Sequence, residues 1–222
     1  MNTALRLSER TAPPKVQVGL KHFERTACVR VLDIGCGNNS PSVFKRWFPN
    51  AIYHGVDIQE YNLSDDDRVL MDCFTVVRPE QNYRSVISES FDWIVCNHVL
   101  EHMQAPYDRV NELCGMLRRN GLMYCAFPSV ESLRMPSAQG TLQFCDDKTH
   151  VFLPSITDVA NILLRNQIHV IYGGRRRDSL RVLVSLPLFA WQMVRRLLGH
   201  KMHARGLWPI YGFEASVVGV KP

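Results

Sequence analysis

The sequence predicts a doubly wound α/β domain that is built on a mostly parallel, seven-stranded sheet. Strand-like and helix-like segments alternate along the chain, an order that places helices on both faces of such a sheet. The early strand candidates are apolar nearly throughout, as is typical of strands buried on both faces. The first candidate ends in a glycine-rich turn within VLDIGCGNNS, residues 31–40. Ligands of these sheets bind beyond the carboxyl ends of the strands, so we expect the functional residues there.

Seven segments read as strands because they are rich in apolar and β-branched residues and end at turn-forming residues. In chain order they are residues 28–34, 51–57, 68–71, 91–96, 122–127, 168–172 and 213–220. The last two are separated by about forty residues, which is much longer than a common connection. We therefore expect a basic helical insertion or cap over residues 173–210, before the last strand.

Helix signals fall between these strands. Ser40-Pro41 reads as an N-cap followed by proline at the first helical position. Apolar residues recur at helical spacing over 107–117, and Asn120-Gly121 supplies a stop. Ser155 and Asp158 have the spacing of a capping box ahead of an apolar stripe.

Composition describes one soluble globular domain over residues 1–222, with residues 1–27 as a helical or loop lead-in. The chain is 46% hydrophobic and 21% charged, and 222 residues suffice for one sizeable core. Its seven cysteines form no CxxC pair, which argues against a zinc ribbon or a disulfide scaffold and for a reducing compartment. The first ten residues, MNTALRLSER, lack the apolar core of a signal peptide. The sequence therefore predicts a cytoplasmic protein.

The glycine turn and the acids near it indicate an adenosine ligand whose ribose is unphosphorylated, and they disfavour a pyrophosphate. Glycine allows a close approach of the backbone and a positive φ, and the following helix N-terminus favours a negative group. The dinucleotide fingerprint needs a third glycine where GCGNNS has Asn39, which disfavours an NAD-dependent oxidoreductase. Asp57 ends the second strand candidate, and an ionised carboxylate there accepts hydrogen bonds from two ribose hydroxyls. Asp72 follows the third candidate and is expected to face the same crevice.

Together these features resemble the class I S-adenosylmethionine-dependent methyltransferases. FDWIVCNHVLEHM, residues 91–103, is similar to that family's fourth-strand motif. LRRNGLMYCAFPS, residues 117–129, is similar to its helix end, glycine and fifth strand, and DDKTHVFLPS, residues 146–155, to a segment that enters the active site. Within the superfamily the chain most resembles bacterial small-molecule methyltransferases of types 11 and 12, including those near cell-envelope sugar pathways.

The resemblance assigns cofactor contacts by position. It implies that the turn after the first strand holds the methionine part of S-adenosyl-L-methionine. The acid that ends the second strand holds the ribose. The adenine is held by the residue that follows this acid and by the residues that follow the third strand. Residues just past the fourth strand close the pocket. The implied contacts are Asp33, Gly35, Cys36, Gly37, Asp57, Ile58, Asp72, Cys73, Asn97 and His98.

The expected chemistry is an in-line transfer of methyl to an oxygen or nitrogen acceptor. The protein mainly aligns the reactants and excludes water, and a hydroxyl acceptor also needs a base, for which histidine is best matched near neutral pH. His102 and His150 are placed for this role by motif, and Asp147 is spaced to orient His150. Alternatively, His102 is a packed core histidine. Glu101 is expected to be structural, and no metal site is expected.

Basic residues are concentrated near the C-terminus. The chain has a net charge of +5, whereas the segment from Arg165 to Arg205 carries +8 and the remainder −3. Arg175 to Arg177 and the arginines that follow suit an acidic substrate such as a nucleotide sugar, or an interfacial helix on anionic lipid. The simpler interpretation is that residues 183–198 pack on the sheet edge.

Three alternatives to a methyltransferase of small or sugar- or lipid-linked molecules are left open. Besides the oxidoreductase, the charge suggests an RNA methyltransferase, although no RNA-binding module or aromatic stacking signature accompanies it. A catalytically silent partner protein of the same fold is the third. Contact with nucleic acid is not expected.

Overall fold

The computed structural model describes residues 9, 11–135, 137, 143–176, 179–200, 210 and 212–222. Within these ranges the chain forms six α-helices, with short 3₁₀ turns between some elements. The helices are α1 (Pro14–His22), α2 (Ser40–Trp47), α3 (Asp65–Leu70), α4 (Pro106–Met116), α5 (Ile156–Arg165) and α6 (Ser179–Leu197). The strands are β1 (Arg30–Ile34), β2 (Ile52–Asp57), β3 (Cys73–Val76), β4 (Phe91–Asn97), β5 (Leu117–Pro128), β6 (His169–Arg175) and β7 (Glu214–Val220).

All seven strands form one sheet in the order β3-β2-β1-β4-β5-β7-β6. Strands β1 to β5 pair in parallel, whereas β7 is antiparallel to both β5 and β6. The direction of chain progression reverses between β1 and β4, and a crevice for ligands opens at such a switch point. The predicted fold class, an α/β domain with a mostly parallel seven-stranded sheet, is confirmed.

The two faces of the sheet bury separate apolar clusters. Neighbouring residues of β1 alternate between them, Val31 in one cluster and Leu32 in the other, because successive side chains of a strand point to opposite faces. On the face covered by α1 and α2, the buried Trp93 ring makes an edge contact with Phe44 at 4.9 Å between ring centroids. Gly19 of α1 lies against the same indole, where an added Cβ would be 2.1 Å from a ring carbon. This packing holds α1 and α2 beside the end of β1.

The third strand was predicted in the wrong place. Residues 68–71 belong to the end of α3 and the residue after it, and β3 begins only at Cys73. The reason is a capping box: Ser64 accepts the backbone N–H of Asp67, whose carboxylate in turn accepts the backbone N–H of Ser64. The short apolar run that follows suits a helix as well as a strand, and the cap decides between them.

Two other local predictions differ from the structure in detail. Helix α2 begins at Ser40 rather than after it, because Asn39 takes the N-cap position in a left-handed conformation and the Ser40 hydroxyl bonds elsewhere. Helix α4 ends before the predicted Asn120-Gly121 stop, and Asn120 lies within β5 at φ +58°.

Helix α5 is present without its predicted capping box. Ser155 makes no side-chain cap bond. Its backbone N–H donates to the Tyr107 hydroxyl, which donates to Asp158. Asp158 therefore accepts a hydrogen bond from Tyr107 of α4 instead of completing a capping box with Ser155.

Helix α6 lies in the segment before the last strand, where a helix was predicted, but its side chains are distributed differently. Strand β6 runs to Arg175, so the insertion proper begins with α6. Among the side chains of this helix that the structure describes, the buried ones are polar, Ser185 and Gln192. Exposed apolar side chains cover much of the rest: Leu183, Leu186, Leu188, Trp191, Met193, Val194 and Leu197, followed by Leu198. The interpretation of residues 183–198 as packing on the sheet is therefore wrong for most of their apolar surface.

Within the part of the chain that the structure describes, a membrane-crossing helix is not found, because each helix is too short or too polar. Arg177 of the basic triplet 175–177 and residues 201–209 of the basic segment lie outside the described residues.

Candidate functional site

The glycine turn follows β1, as predicted. It is hydrogen-bonded to the end of β2. The backbone N–H of Gly35 donates to the carbonyl oxygen of Val56 at 2.8 Å. Gly35 has a φ of +72°, and an added Cβ there would lie 3.2 Å from the Val99 side chain. An added Cβ on Gly37 would lie 2.6 Å from the backbone oxygen of Tyr61. Each glycine is therefore required by a neighbouring part of the chain as well as by any ligand.

Cys36 fills space between the two glycines. Its side chain is fully buried, and an added Cβ on Gly55 would lie 2.7 Å from its sulfur. Burial, with the charges of Asp33 and Asp57 adding to it, raises the pKa of the Cys36 thiol to about 12. A protonated, buried thiol is a packing group rather than a nucleophile.

Asp33 is paired inside the protein. It lies in β1 with no exposed surface, and its Oδ2 accepts hydrogen bonds from Lys15 Nζ at 3.1 Å, Tyr53 Oη at 2.7 Å and the Ser40 hydroxyl. Its Oδ1 is buried and has no hydrogen-bond partner among the described residues. The resemblance implied that this carboxylate contacts the methionine part of the cofactor, whereas the structure pairs its charge with Lys15. The lysine was missed because it lies eighteen residues away, on a different element.

Asp57 stands at the carboxyl end of β2, where it was predicted. Burial raises the pKa of this carboxyl above its usual value, although backbone N–H groups of Ile58, Gln59 and Gly37 oppose the rise by binding the charged form. The contact with the Ile58 N–H measures 2.7 Å, and the Ile58 side chain is 60% exposed. A half-buried acceptor beside an exposed apolar side chain fits a ribose diol that carries a flat, apolar base.

Asn97 and His98 lie at the carboxyl end of β4, as predicted, and His98 belongs to a charged cluster. Its Nδ1 donates to Glu101 at 3.2 Å and its Nε2 to Glu214 at 3.1 Å. Burial acts to lower the pKa of His98, but the two carboxylates outweigh it and raise the pKa to about 9. The ring also stacks on Phe213 at 5.5 Å between centroids. His98 is therefore an imidazolium held between two acids.

Sequence reasoning missed the acids of this cluster. Glu101 is 1% exposed and Glu214 8% exposed, and Arg176 lies 3.4 Å from Glu214. The spacing of His98 and Glu101, three residues apart in a short turn, was the available signal. Glu214 follows 116 residues after His98 and reaches it only because β7 inserts beside β5.

His102, His150 and Asp147 come together as predicted. The two imidazole rings are 4.8 Å apart between centroids, and His150 Nε2 lies 3.7 Å from an Asp147 oxygen. His150 Nδ1 contacts the carbonyl oxygen of Phe144 at 2.8 Å, which only accepts, so this nitrogen carries the proton. Nε2 of His150 then keeps its lone pair. His102 is exposed rather than packed in the core.

Asp72 and Cys73 do not belong to the site. Cys73 pairs with His54, whereas Asp57 pairs with Val76, so both residues lie at the start of β3, about 10 Å from the ligand edge. The Asp72 carboxylate accepts hydrogen bonds from Lys45 Nζ and the Tyr53 backbone N–H, each at 2.7 Å. The prediction that they face the crevice is wrong, and its cause is the misplaced third strand.

Comparison of the structure with solved proteins finds the same fold repeatedly. An S-adenosylmethionine-dependent methyltransferase from Mesorhizobium loti has a TM-score of 0.60 at 13% identity, covering 96% of this chain and 100% of its own. One from Archaeoglobus fulgidus has a TM-score of 0.57 at 14% identity, covering 97% and 93%. The plantazolicin methyltransferase BamL, solved in complex with a triazolic desmethylPZN analogue and SAH, has a TM-score of 0.59 at 18% identity, covering 86% of this chain and 76% of its own.

A search of curated proteins finds no match. The family model described as a methyltransferase domain matches residues 3–172, which is more than half of the chain. The strand order, the glycine turn and the acid that ends β2 agree with that match. The chain therefore belongs to the methyltransferase-domain family and has the class I fold of S-adenosylmethionine-dependent methyltransferases.

Proposed function

We propose that this chain transfers a methyl group from S-adenosyl-L-methionine to a hydroxyl or amine of an acceptor. The acceptor is a small molecule or a sugar- or lipid-linked molecule. The observation that carries the proposal is that Gly35, Gly37 and Asp57 lie at the same edge of the sheet as the turn after β4, which carries His102 of the pair His102 and His150. The turn, the acid and the residues that lead to the histidines all follow carboxyl ends of strands at one edge of the sheet.

The residues at the ends of β1, β2 and β4 hold the cofactor in this proposal. Asp57 accepts the two ribose hydroxyls, and Ile58 contacts the adenine face. Asp33 holds the turn in place by accepting a hydrogen bond from Ser40 of α2. The Cys36 side chain fills the space between the turn and Gly55 of β2. Asn97 and His98 close the methionine end. When bound, the cofactor supplies an activated methyl on a sulfonium, which needs no covalent help from the protein.

The histidine pair activates the acceptor. Because its Nδ1 is committed to the Phe144 carbonyl, His150 offers an Nε2 lone pair on its other side. Asp147 stabilises positive charge that develops there, since its oxygen lies 3.7 Å away and its pKa is lowered, chiefly by hydrogen bonds from Thr149. An acceptor hydroxyl that gives up its proton at this pair becomes the nucleophile.

Exposed apolar surface on α6 supports a lipid-linked acceptor. Leu197 is 85% exposed and Trp191 59% exposed, whereas the buried positions of this helix are polar. Arg195 and Arg196 lie in its last turn. Apolar side chains beside basic residues bind the interface of an anionic membrane, and a monomeric soluble protein rarely leaves such a surface uncovered. We propose that α6 lies on an anionic membrane and presents the crevice to acceptors carried there.

Methyl transfer from labelled cofactor to a panel of sugar, nucleotide-sugar and polyprenyl-linked acceptors tests the proposal. We expect transfer to at least one acceptor class, and His150→Ala is expected to lose turnover while cofactor affinity stays within about twofold. His169→Ala, which removes an exposed imidazole at the start of β6, is the matched control. Transfer to RNA alone, with steep salt dependence, would support the RNA alternative instead. Cofactor binding without transfer to any acceptor would support a silent partner protein.

A further inference from the structure

Three residues with metal-binding side chains meet above the end of β4. They are Glu101, His102 and His150, and one ligand atom from each lies within 4.8 Å of the others. Glu101 and His102 belong to the turn after β4, whereas His150 comes from the segment before α5. Two backbone bonds join these segments, since the N–H groups of Val151 and Phe152 both donate to the Glu101 carbonyl oxygen.

Both imidazoles are held in the tautomer that a metal ligand requires. His102 Nδ1 lies 2.9 Å from the Thr149 hydroxyl and 3.3 Å from the Thr149 carbonyl oxygen. The hydroxyl proton is already donated to Asp147, so both oxygens accept from His102, and His102 Nδ1 carries its proton. His150 Nδ1 is likewise protonated against Phe144. Each ring is therefore oriented through one nitrogen and keeps a lone pair on Nε2, the arrangement that supports metal-ligating histidines.

The carboxylate supplies a second, independent observation. Glu101 is 1% exposed, and its Oε1 accepts from His98. Its Oε2 is buried and has no hydrogen-bond partner within the described ranges. A buried carboxylate oxygen without a partner is unfavourable because its lost hydration is not replaced, so a positive ligand at this atom removes that cost.

We propose that Glu101, His102 and His150 bind one divalent transition-metal ion of the zinc type. Two imidazoles and one carboxylate form a set that suits zinc, iron(II) and their neighbours rather than magnesium or calcium, which prefer all-oxygen sites. Ligand atoms around a tetrahedral zinc are about 3.3 Å apart, so the three side chains close by roughly 1 Å on binding.

The metal site also defines the acceptor more narrowly, and this part rests on the proposed function. Three protein ligands leave one position open at a four-coordinate zinc and a second when the ion expands to five-coordinate, so two oxygens of the acceptor could bind. A bound metal would lower the pKa of a ligated hydroxyl and orient it, and the proton would leave to solvent because both imidazoles would hold the metal. The metal would then replace the histidine pair as the activating group. The acceptor class that fits is a molecule with two neighbouring oxygens, such as the vicinal diol of a sugar.

Cobalt(II) titration of the full chain tests the site without measuring activity. The protein is freed of any histidine tag, dialysed against a chelator and titrated while the visible d–d absorption of cobalt is recorded. We expect one equivalent to bind, and His102→Ala and His150→Ala each to weaken binding by at least about tenfold. His169→Ala should leave the titration unchanged.

Calorimetry with S-adenosylhomocysteine on the same samples separates failure of the site from failure of the fold or of the proposed function. Retained nucleoside binding in His102→Ala shows that the variant is folded. Absence of stoichiometric cobalt and zinc binding by the wild type, or equal binding by the double variant His102→Ala/His150→Ala, would overturn the metal site and leave the cofactor proposal standing. If metal binds but turnover survives complete chelation, the assignment of acceptor activation to the metal is wrong.

Discussion

Replacing Lys15 by methionine should destabilise the fold strongly. Lys15 Nζ and Asp33 Oδ2 are 3.1 Å apart, and the two side chains are 11% and 0% exposed. Methionine keeps the apolar stem but leaves the carboxylate buried without its cation, and its Oδ1 is already unpartnered. Breaking a buried pair on one side costs about 3–5 kcal/mol. The hydroxyls of Tyr53 and Ser40 remain bonded to Asp33, which places the expected loss near the lower end, at about 3 kcal/mol.

Urea denaturation followed by circular dichroism measures this loss. With a slope of about 2 kcal/mol per molar, a loss of about 3 kcal/mol lowers the midpoint by about 1.5 M. Lys21→Met on the same helix, at an exposed position, is the control, and its midpoint should move by less than about 0.3 M. The double variant Lys15→Met/Asp33→Asn removes both charges and should recover part of the loss. If Lys15→Met is no less stable than Lys21→Met, the buried pair does not stabilise this fold as inferred.

Three further changes test other parts of the site. Gly35→Ala forces a side chain onto φ +72° and to within 3.2 Å of Val99, so calorimetry should show at least about tenfold weaker nucleoside binding; unchanged affinity would show that the turn tolerates a Cβ. Burial raises the pKa of Asp57, and only the ionised form accepts both ribose hydroxyls. Nucleoside affinity should therefore fall as pH drops through that raised pKa, and Asp57→Asn should abolish this pH dependence; the same acid slope in the variant would assign it to another group. Leu197→Glu should reduce co-sedimentation with anionic vesicles severalfold, whereas Val69→Glu, which is equally exposed on α3, should not; equal loss in both, or binding to neutral vesicles alone, would contradict the membrane role of α6.

Local signals were enough to place the turn and the acid that ends β2. The glycines and Asp57 each directly follow an apolar strand, so each is recognised from a few neighbouring residues, and the structure puts them at the predicted edge of the sheet. The third strand could not be placed from local signals, because residues 68–71 suit a helix and a strand equally well. The capping box at Ser64 makes them the end of α3.

Contacts between distant parts of the chain could not be read from spacing. Lys15 reaches Asp33 of β1 from helix α1, and Glu214 reaches His98 across 116 residues, so neither pairing leaves a periodic trace. Their effect is electrostatic. Lys15 neutralises a carboxylate that the sequence assigned to a ligand, and Glu214 helps to hold His98 charged. The sequence therefore predicts the edge at which the chemistry occurs better than it predicts the charges there.

Calorimetric titration of the purified chain with S-adenosylhomocysteine tests cofactor binding most directly. We expect one equivalent to bind and Asp57→Asn to weaken binding by about tenfold or more, because a charged acceptor of two hydrogen bonds is lost. NAD should produce no heat of binding under the same conditions. A folded protein that gives no signal with the nucleoside at millimolar concentration, or that binds it equally well without the Asp57 carboxylate, would contradict the assignment of this crevice to the cofactor.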